Sequence, residues 1–275
     1  MKTTIKTILT LILCLTTSIA KPQETPQENA IFRITYDCEA TYTTNKPQTY
    51  RWHLDVSQHQ TIFYCPNHRN FDIETEKIKN SSDLQAALAQ IQKINKQYKP
   101  KRALEILTHE DNYTYLASLN TDHYIYTQPL PQIPWATTDS TKEICHHQCK
   151  SATATVHGRD WTVWYTEDIP VSTGPYILQG LPGTILEAYD SQNTFHFIAV
   201  GIQQLDTPTP IQLYNPRKAH KCTRAKYLKI RKANENKTYG QLLKNLGVKV
   251  VKVVDADGSD IKNKKRPTHN YLDLE

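Results

Sequence analysis

Between Ile31 and Tyr42 the chain alternates, with Ile34, Tyr36, Cys38, Ala40 and Tyr42 separated by mostly polar residues. A repeat of two puts one set of side chains on one face of a pleated strand. The same pattern predicts strands at Tyr50–Val56, Gln60–Tyr64, Ala103–Thr108, Tyr113–Leu119, His123–Thr127, Ser151–Val156, Asp160–Tyr165, Thr184–Tyr189 and Thr194–Val200. His157-Gly158 and Ser191-Gln192-Asn193 supply turns between neighbouring strands. The period changes at residues 82–98, where Leu84, Ala87, Leu88, Ile91 and Tyr98 share one helical face. Ser82 with Gln85 fits a capping box, and Pro100 stops the run. Helical patterns return at Arg224–Asn234 and at Tyr239–Leu246, the latter closed by Gly247, and Val248–Val254 is a β-branched run. Pro129, Pro131 and Pro134 make a stiff connector before Trp135.

Many short strands, few helices and no βαβ rhythm predict a mainly β (α+β) fold: a large curved antiparallel sheet or half-barrel with a few packed helices. Such half-barrels often hold lipid or apolar ligands, an analogy of fold alone. The N-terminus reads as a signal peptide over 1–20, with Lys2 and Lys6, an apolar Ile8–Leu15 core, and Ser18-Ile19-Ala20 before the cleavage point. A flexible Pro/Gln/Glu-rich leader over 21–30 and a single β-rich domain over 31–275 follow. No later run reaches the ~18 apolar residues of a membrane span, so the expected location is the periplasm or the exterior.

Charge separates along the chain. Residues 217–266 carry 16 Lys/Arg against four Asp/Glu, whereas residues 21–216 carry 15 against 21. A basic helical and tail region (217–275) admits an envelope protein, a lipid headgroup or an anionic glycan as partner. An exported chain with no nucleic-acid motif does not point to nucleic acid. Five cysteines follow the signal segment: Cys38, Cys65, Cys145, Cys149 and Cys222. Export permits disulfides, and Cys38 with Cys65 is the attractive pair because both sit in strand-like runs.

The segment from Gly174 to Thr184 uses three of the chain's 8 glycines (Gly174, Gly180 and Gly183) together with Pro175 and Pro182. Gly permits close backbone approach and Pro fixes φ, so the expected structure is a corner feeding the strand at Thr184. Gly180-Leu181-Pro182-Gly183-Thr184-Ile185-Leu186-Glu187 resembles the naming motif of the GLPGLI family of secreted proteins from Bacteroidetes-type bacteria. Ile62-Phe63-Tyr64-Cys65, the Ile144–Ala152 block, the His157–Pro170 block with Arg159, Trp164 and Tyr165, and the ending Arg266-Pro267 and Asn270–Glu275 look like further landmarks of it. Thr184, His146-His147 and Tyr271 depart from that pattern. The resemblance implies an exported envelope protein and supplies no catalytic residue.

Local chemistry is sparse. Arg159 and Glu187 could form a bidentate ion pair if their strands are neighbours, with Trp164 stacked on the guanidinium. Cys145, His146, His147 and Cys149 carry ligands suited to Zn²⁺ or Cu⁺, to be completed by His157, His220 or Cys222, or else a disulfide. On a strand, Cys145 and His147 would face one way and His146 the other. Asp255-Ala256-Asp257-Gly258 lacks EF-hand spacing and reads as a tight turn. No Gly-x-Ser-x-Gly or His-Glu-x-x-His motif occurs, and nothing calls for a cofactor. The first functional reading is therefore a non-enzymatic envelope binding or accessory protein, for which an apolar groove would speak. The alternative is a hydrolase acting on peptide or glycan, which requires His, Asp and Glu gathered in a cleft from distant strands. A metal-binding protein is the second alternative.

Overall fold

A computed structural model describes residues 27–42, 46–79, 82–100, 103–120, 122–245, 247, 249–255, 257–266 and 269–274. The expected signal segment and most of the expected leader lie outside them. Strands β1 (Phe32–Ala40), β2 (Gln48–Val56) and β3 (Gln60–Tyr64) lead into helices α1 (Pro66–Ile78) and α2 (Leu84–Tyr98). Strands β4 (Leu104–His109), β5 (Asn112–Leu119), β6 (Asp122–Pro129), β7 (Ala136–Ile144), β8 (His147–Val156), β9 (Arg159–Thr166), β10 (Thr184–Asp190) and β11 (Phe195–Gln204) follow. A 3-10 turn at Pro216–Lys218, strand β12 (His220–Lys221) and helices α3 (Arg224–Glu235) and α4 (Tyr239–Asn245) come last.

The strands form one open, curved sheet in the order β12-β6-β5-β4-β3-β2-β1-β11-β10-β9-β8-β7, so the fold is mainly β with packed helices. Every neighbouring pair is antiparallel except β12 with β6. Two meanders, β1–β6 and β7–β11, are sewn together by the nine-residue β1 lying against β11. The alternating residues of β1 (Ile34, Tyr36, Cys38, Ala40) face one side with Trp52, Phe63, Ile106, Tyr115, Trp161, Val163 and Phe197. This inner face holds the main core. Trp52 stacks on Phe63 at 4.7 Å, and Tyr115 stacks on Tyr126 at 4.9 Å. Each such pair adds about 0.5–1.5 kcal/mol beyond its buried area.

The chain covers the inner face itself. Tyr176, Ile177, Leu178 and Leu181 from the loop before β10 are buried there, as is Tyr227 of α3, whose ring lies 5.5 Å from Tyr126. The C-terminal segment straps across it: Asn270 N–H donates to Tyr42 C=O, Leu274 N–H to His157 C=O, and Asp273 pairs with Arg231. The inner face is thus largely filled by the chain itself, with cavities of about 260 and 270 Å³ left beside the loop before β10 and under the C-terminal strap.

Four local expectations change. Helix α1 is absent from the sequence reading because its sequence PNHRNFDIETEKI shows no apolar stripe; Pro66 at its first turn is its start signal. Strand β7 is missed because it is an exposed edge, and a polar edge strand needs no alternation. The cap of α2 is Asp83, not Ser82, and it accepts from Ala86 N–H at 2.9 Å. Gln27–Ala30, expected within a loose leader, are tied down: Ala30 N–H donates to Thr209 C=O, and Glu28 holds His59.

The outer face is polar, with a small cluster of Ala30, Ile62, Tyr64 and Ile211. His53 lies on this side, edge-on to Tyr64, and its Nδ1 is buried without a partner among the described residues. Burial first, and Arg33 second, hold its pKa down to about 4 from 6.5. The unfolded chain then binds the extra proton between pH 6.5 and 4, so stability is full above that window and falls through it, by about 3 kcal/mol at most. His53→Phe should flatten this acid limb in urea titrations at pH 7 and pH 4. An unchanged limb would place the acid sensitivity elsewhere.

Candidate functional site

The residues singled out by sequence fall into three separate places. Strands β9 and β10 are neighbours, but Arg159 does not pair with Glu187. Along β9 the residues Arg159, Trp161, Val163 and Tyr165 face the core, whereas Trp164 points to the other face, opposite Glu187. Parity alone forbids the expected stack. Arg159 instead donates to Asp190 Oδ2 at 2.6 Å and to Tyr271 C=O at 2.9 and 2.7 Å, over the Phe195 ring. On the outer face Glu187 meets Lys142 and His196, and Lys142 Nζ sits 4.2 Å above the Trp164 ring. Tyr165 is buried in the core.

The glycine–proline corner feeds β10, and its first half lines a cavity of about 260 Å³ against the β2–β3 turn. Gly180 has φ +100°, and Trp135 Nε1 donates to the preceding Gln179 C=O at 2.8 Å. Leu181 is buried between Gly180 and Pro182. Gly174-Pro175 opens a turn in which Leu178 N–H donates to Pro175 C=O. Thr184, where the GLPGLI pattern has an apolar residue, is wholly buried and donates to Val171 C=O at 2.9 Å.

The cysteine–histidine cluster is not a strand and gathers no metal set. Cys145 and His146 have φ +50° and +64° and form the two-residue turn joining β7 to β8. His147 leans on Asp168 at 3.1 Å, and burial pushes the Cys149 thiol up to about 11. His220 and Cys222 belong to the opposite edge of the sheet. No group of three or more His, Cys, Asp or Glu is placed to hold a metal among the described residues. Among the described residues no two cysteines form a disulfide. Cys38 lies on β1 and Cys65 directly after β3, two strands away, roughly 9–10 Å by strand spacing and beyond the ~7 Å Cα limit for a bridge.

The sheet's outer face carries what the sequence pattern did not reveal. A cleft of about 210 Å³ lies between α1, the edges of β4–β6 and residues 214–218. Its floor offers Glu105, Leu116, Ser118 and His123; its walls offer His68, Arg69, Asp72, Glu76 and Lys218. His68 Nδ1 is held by Asp72 at 3.1 Å, one helical turn on. Arg69 Nε donates to Glu105 at 2.7 Å and its guanidinium covers the Tyr64 ring at 3.7 Å. The other Glu105 oxygen accepts from Tyr214 N–H at 2.8 Å, which anchors the wall. Lys218 reaches Glu76 at 2.6 Å, and its hydrogen bond draws that carboxyl's pKa down.

Residues 211–218 cross the outer face and separate this cleft from an open groove of about 1190 Å³. The groove is floored by Gln60, Leu107, Asn112, Thr114 and Thr127, and Tyr214 and Asn215 line both spaces. Thr114 and Thr127 share a hydrogen bond of 2.9 Å across β5 and β6. No acidic residue lines the groove among those described; amides and hydroxyls dominate, with Arg217 and Lys218 at one end. The elements come from four distant stretches of chain. The only local signals were Pro66 and the alternation of the strands.

Comparison with known proteins gives the family model of the N-glycanase peptide, N-terminal domain, over residues 67–227. That match overturns the GLPGLI resemblance, which rested on short motifs, whereas the family match spans more than half of the chain. PNGF-II, solved in two space groups, is similar over 75% of this chain, with TM-scores of 0.49 and 0.48 at 14% and 15% identity respectively. The chain spans 34% of the length of PNGF-II. An uncharacterized conserved protein from Thermus thermophilus is similar over 70% of this chain and 90% of its own, at 9% identity and a TM-score of 0.34. No curated protein matches.

Proposed function

The chain belongs to the N-glycanase peptide N-terminal domain family, and from that premise we propose that it works in the hydrolytic removal of N-linked glycans from glycoproteins. The family supplies the substrate class. The observation that carries the reading is the amide- and hydroxyl-lined groove bordering a cleft of gathered His, Asp and Glu. A sugar hydroxyl both donates and accepts, and so do Asn, Gln and Thr side chains; a leucine or tyrosine face suits the ring's C–H surface. In the cleft, His68 with its Nδ1–H given to Asp72 leaves Nε2 free to take a proton from water, the step that hydrolysis needs.

This adopts the hydrolase alternative in place of the non-enzymatic envelope reading, because clustered titratable groups, not an apolar groove, line the outer face. No helix among the described residues is long and apolar enough to cross a membrane. Export through the N-terminal segment belongs to the same proposal, since glycoproteins lie outside the cytosol.

Two measurements test it. Purified chain should bind an N-glycopeptide more tightly than the same peptide without its glycan, and Asn112→Ala should weaken that binding about fivefold, one hydrogen bond's worth. Mass spectrometry of a glycoprotein incubated with the chain reads release, which Asp72→Asn should slow by roughly 100-fold. A wild-type chain that neither binds the glycan nor releases it rules the reading out.

A further inference from the structure

We propose that Ser118 and His123 form a nucleophile–base pair that hydrolyses short-chain carboxylic esters, an activity separate from glycan release. The two residues face each other across the β5–β6 ladder, and Ser118 Oγ lies 2.7 Å from His123 Nδ1. Both are only partly buried and both line the cleft. Hydrogen-bond reach between a hydroxyl and an imidazole in a concave site is the basic requirement for an activated serine.

The cleft also holds an electrophilic partner. Helix α1 begins at its rim through Cys65 and His68, and no side chain caps its first turn. Pro66 has no N–H and Arg69 N–H donates to Cys65 C=O, so the Asn67 and His68 N–H groups of this 13-residue helix, with its dipole, are the donors for a developing oxyanion. His68 and Ser118 also line a second, adjoining cavity, which makes them near neighbours. The volume of about 210 Å³ restricts the acyl part to a short chain. No carboxylate contacts His123 among the described residues, so the base lacks the third group that amide cleavage uses, and the pair suits esters, whose leaving group departs more readily.

The step balances without a cofactor. Ser118 Oγ attacks the ester carbonyl carbon as its proton passes to His123 Nδ1. The carbonyl reforms, the bond to the alcohol oxygen breaks, and the alcohol leaves with the proton from His123. Water, deprotonated by His123 in turn, attacks the acyl-serine; the acid leaves and Ser118 regains its proton.

The test uses the full chain with p-nitrophenyl acetate and a fluorophosphonate probe. The native protein should turn over the ester and carry one label, on Ser118 by peptide mass spectrometry. Ser118→Ala should lose both. His123→Gln keeps a hydrogen bond to Ser118 but cannot take its proton, so labelling and turnover should fall about 100-fold. Ser191→Ala, in an exposed hairpin loop, should match wild type. Melting curves confirm that each variant is folded. A folded native chain in which Ser118 takes no label, or a His123→Gln variant labelled at the native rate, overturns the proposal. Neither result bears on N-glycopeptide binding, so the glycan reading stands or falls by itself.

Discussion

Gly183→Ala is expected to cost more than about 3 kcal/mol, a large share of the stability of an ordinary domain. A Cβ at this position would meet Thr166 O at 2.0 Å and Thr166 C at 2.7 Å. Those atoms are backbone, and Thr166 is paired with Thr184 in the β9–β10 ladder. Relief therefore requires parting two central strands rather than turning a side chain. Gly201 supplies the control: nothing lies within 4 Å of its added Cβ, so Gly201→Ala should stay within about 1 kcal/mol of wild type. Urea unfolding followed by circular dichroism separates the two. A Gly183→Ala midpoint equal to that of Gly201→Ala would refute the steric account.

Asp190→Asn carries the second large effect, about 3–5 kcal/mol of destabilisation. Asp190 is 1% exposed and its carboxylate accepts from Arg159 and, at 2.7 Å each, from Thr194 N–H and Phe195 N–H. Burial already works against the Arg159 guanidinium, lowering its pKa, and Asp190 opposes that loss. Removing the carboxylate charge leaves a buried cation with only neutral acceptors. The double variant Arg159→Met with Asp190→Asn removes both charges and should recover part of the loss. If the single variant is as stable as wild type by urea unfolding, the pair does not hold the corner between β9 and the C-terminal strap.

Much of the sheet is legible in sequence because a strand with one buried face must alternate. β3 falls at Gln60–Tyr64 as the pattern predicts, and β1, β2, β5 and β9 lie within one or two residues of their expected ends. The exceptions follow the same rule from the other side. α1 and β7 bury too little to print a period, so their polar sequences PNHRNFDIETEKI and ATTDSTKEI read as loops. Motif reading misjudged partners for a related reason. Arg159 and Glu187 stand on adjacent strands, but a bulge between Ile185 and Glu187 and the parity of β9 send them to opposite faces. The family assignment likewise needed a match across 67–227, not a short corner motif.

The candidate site was the least legible part. His68 and Asp72 are close in sequence, and so are Ser118 and His123, yet nothing local says that α1 and the β5–β6 hairpin share a cleft.

The chain's order of residues by itself determined a strand-rich fold, its early amphipathic helix and the corner before Thr184, since strand alternation, helical period and backbone sterics act over a few neighbours. Only the tertiary structure decided which strands met across the β1–β11 seam, which acid neutralised Arg159, and how residues 211–218 divided the outer face into cleft and groove. Those outcomes depend on packing between segments far apart in the chain, and such contacts leave no periodic trace in its sequence.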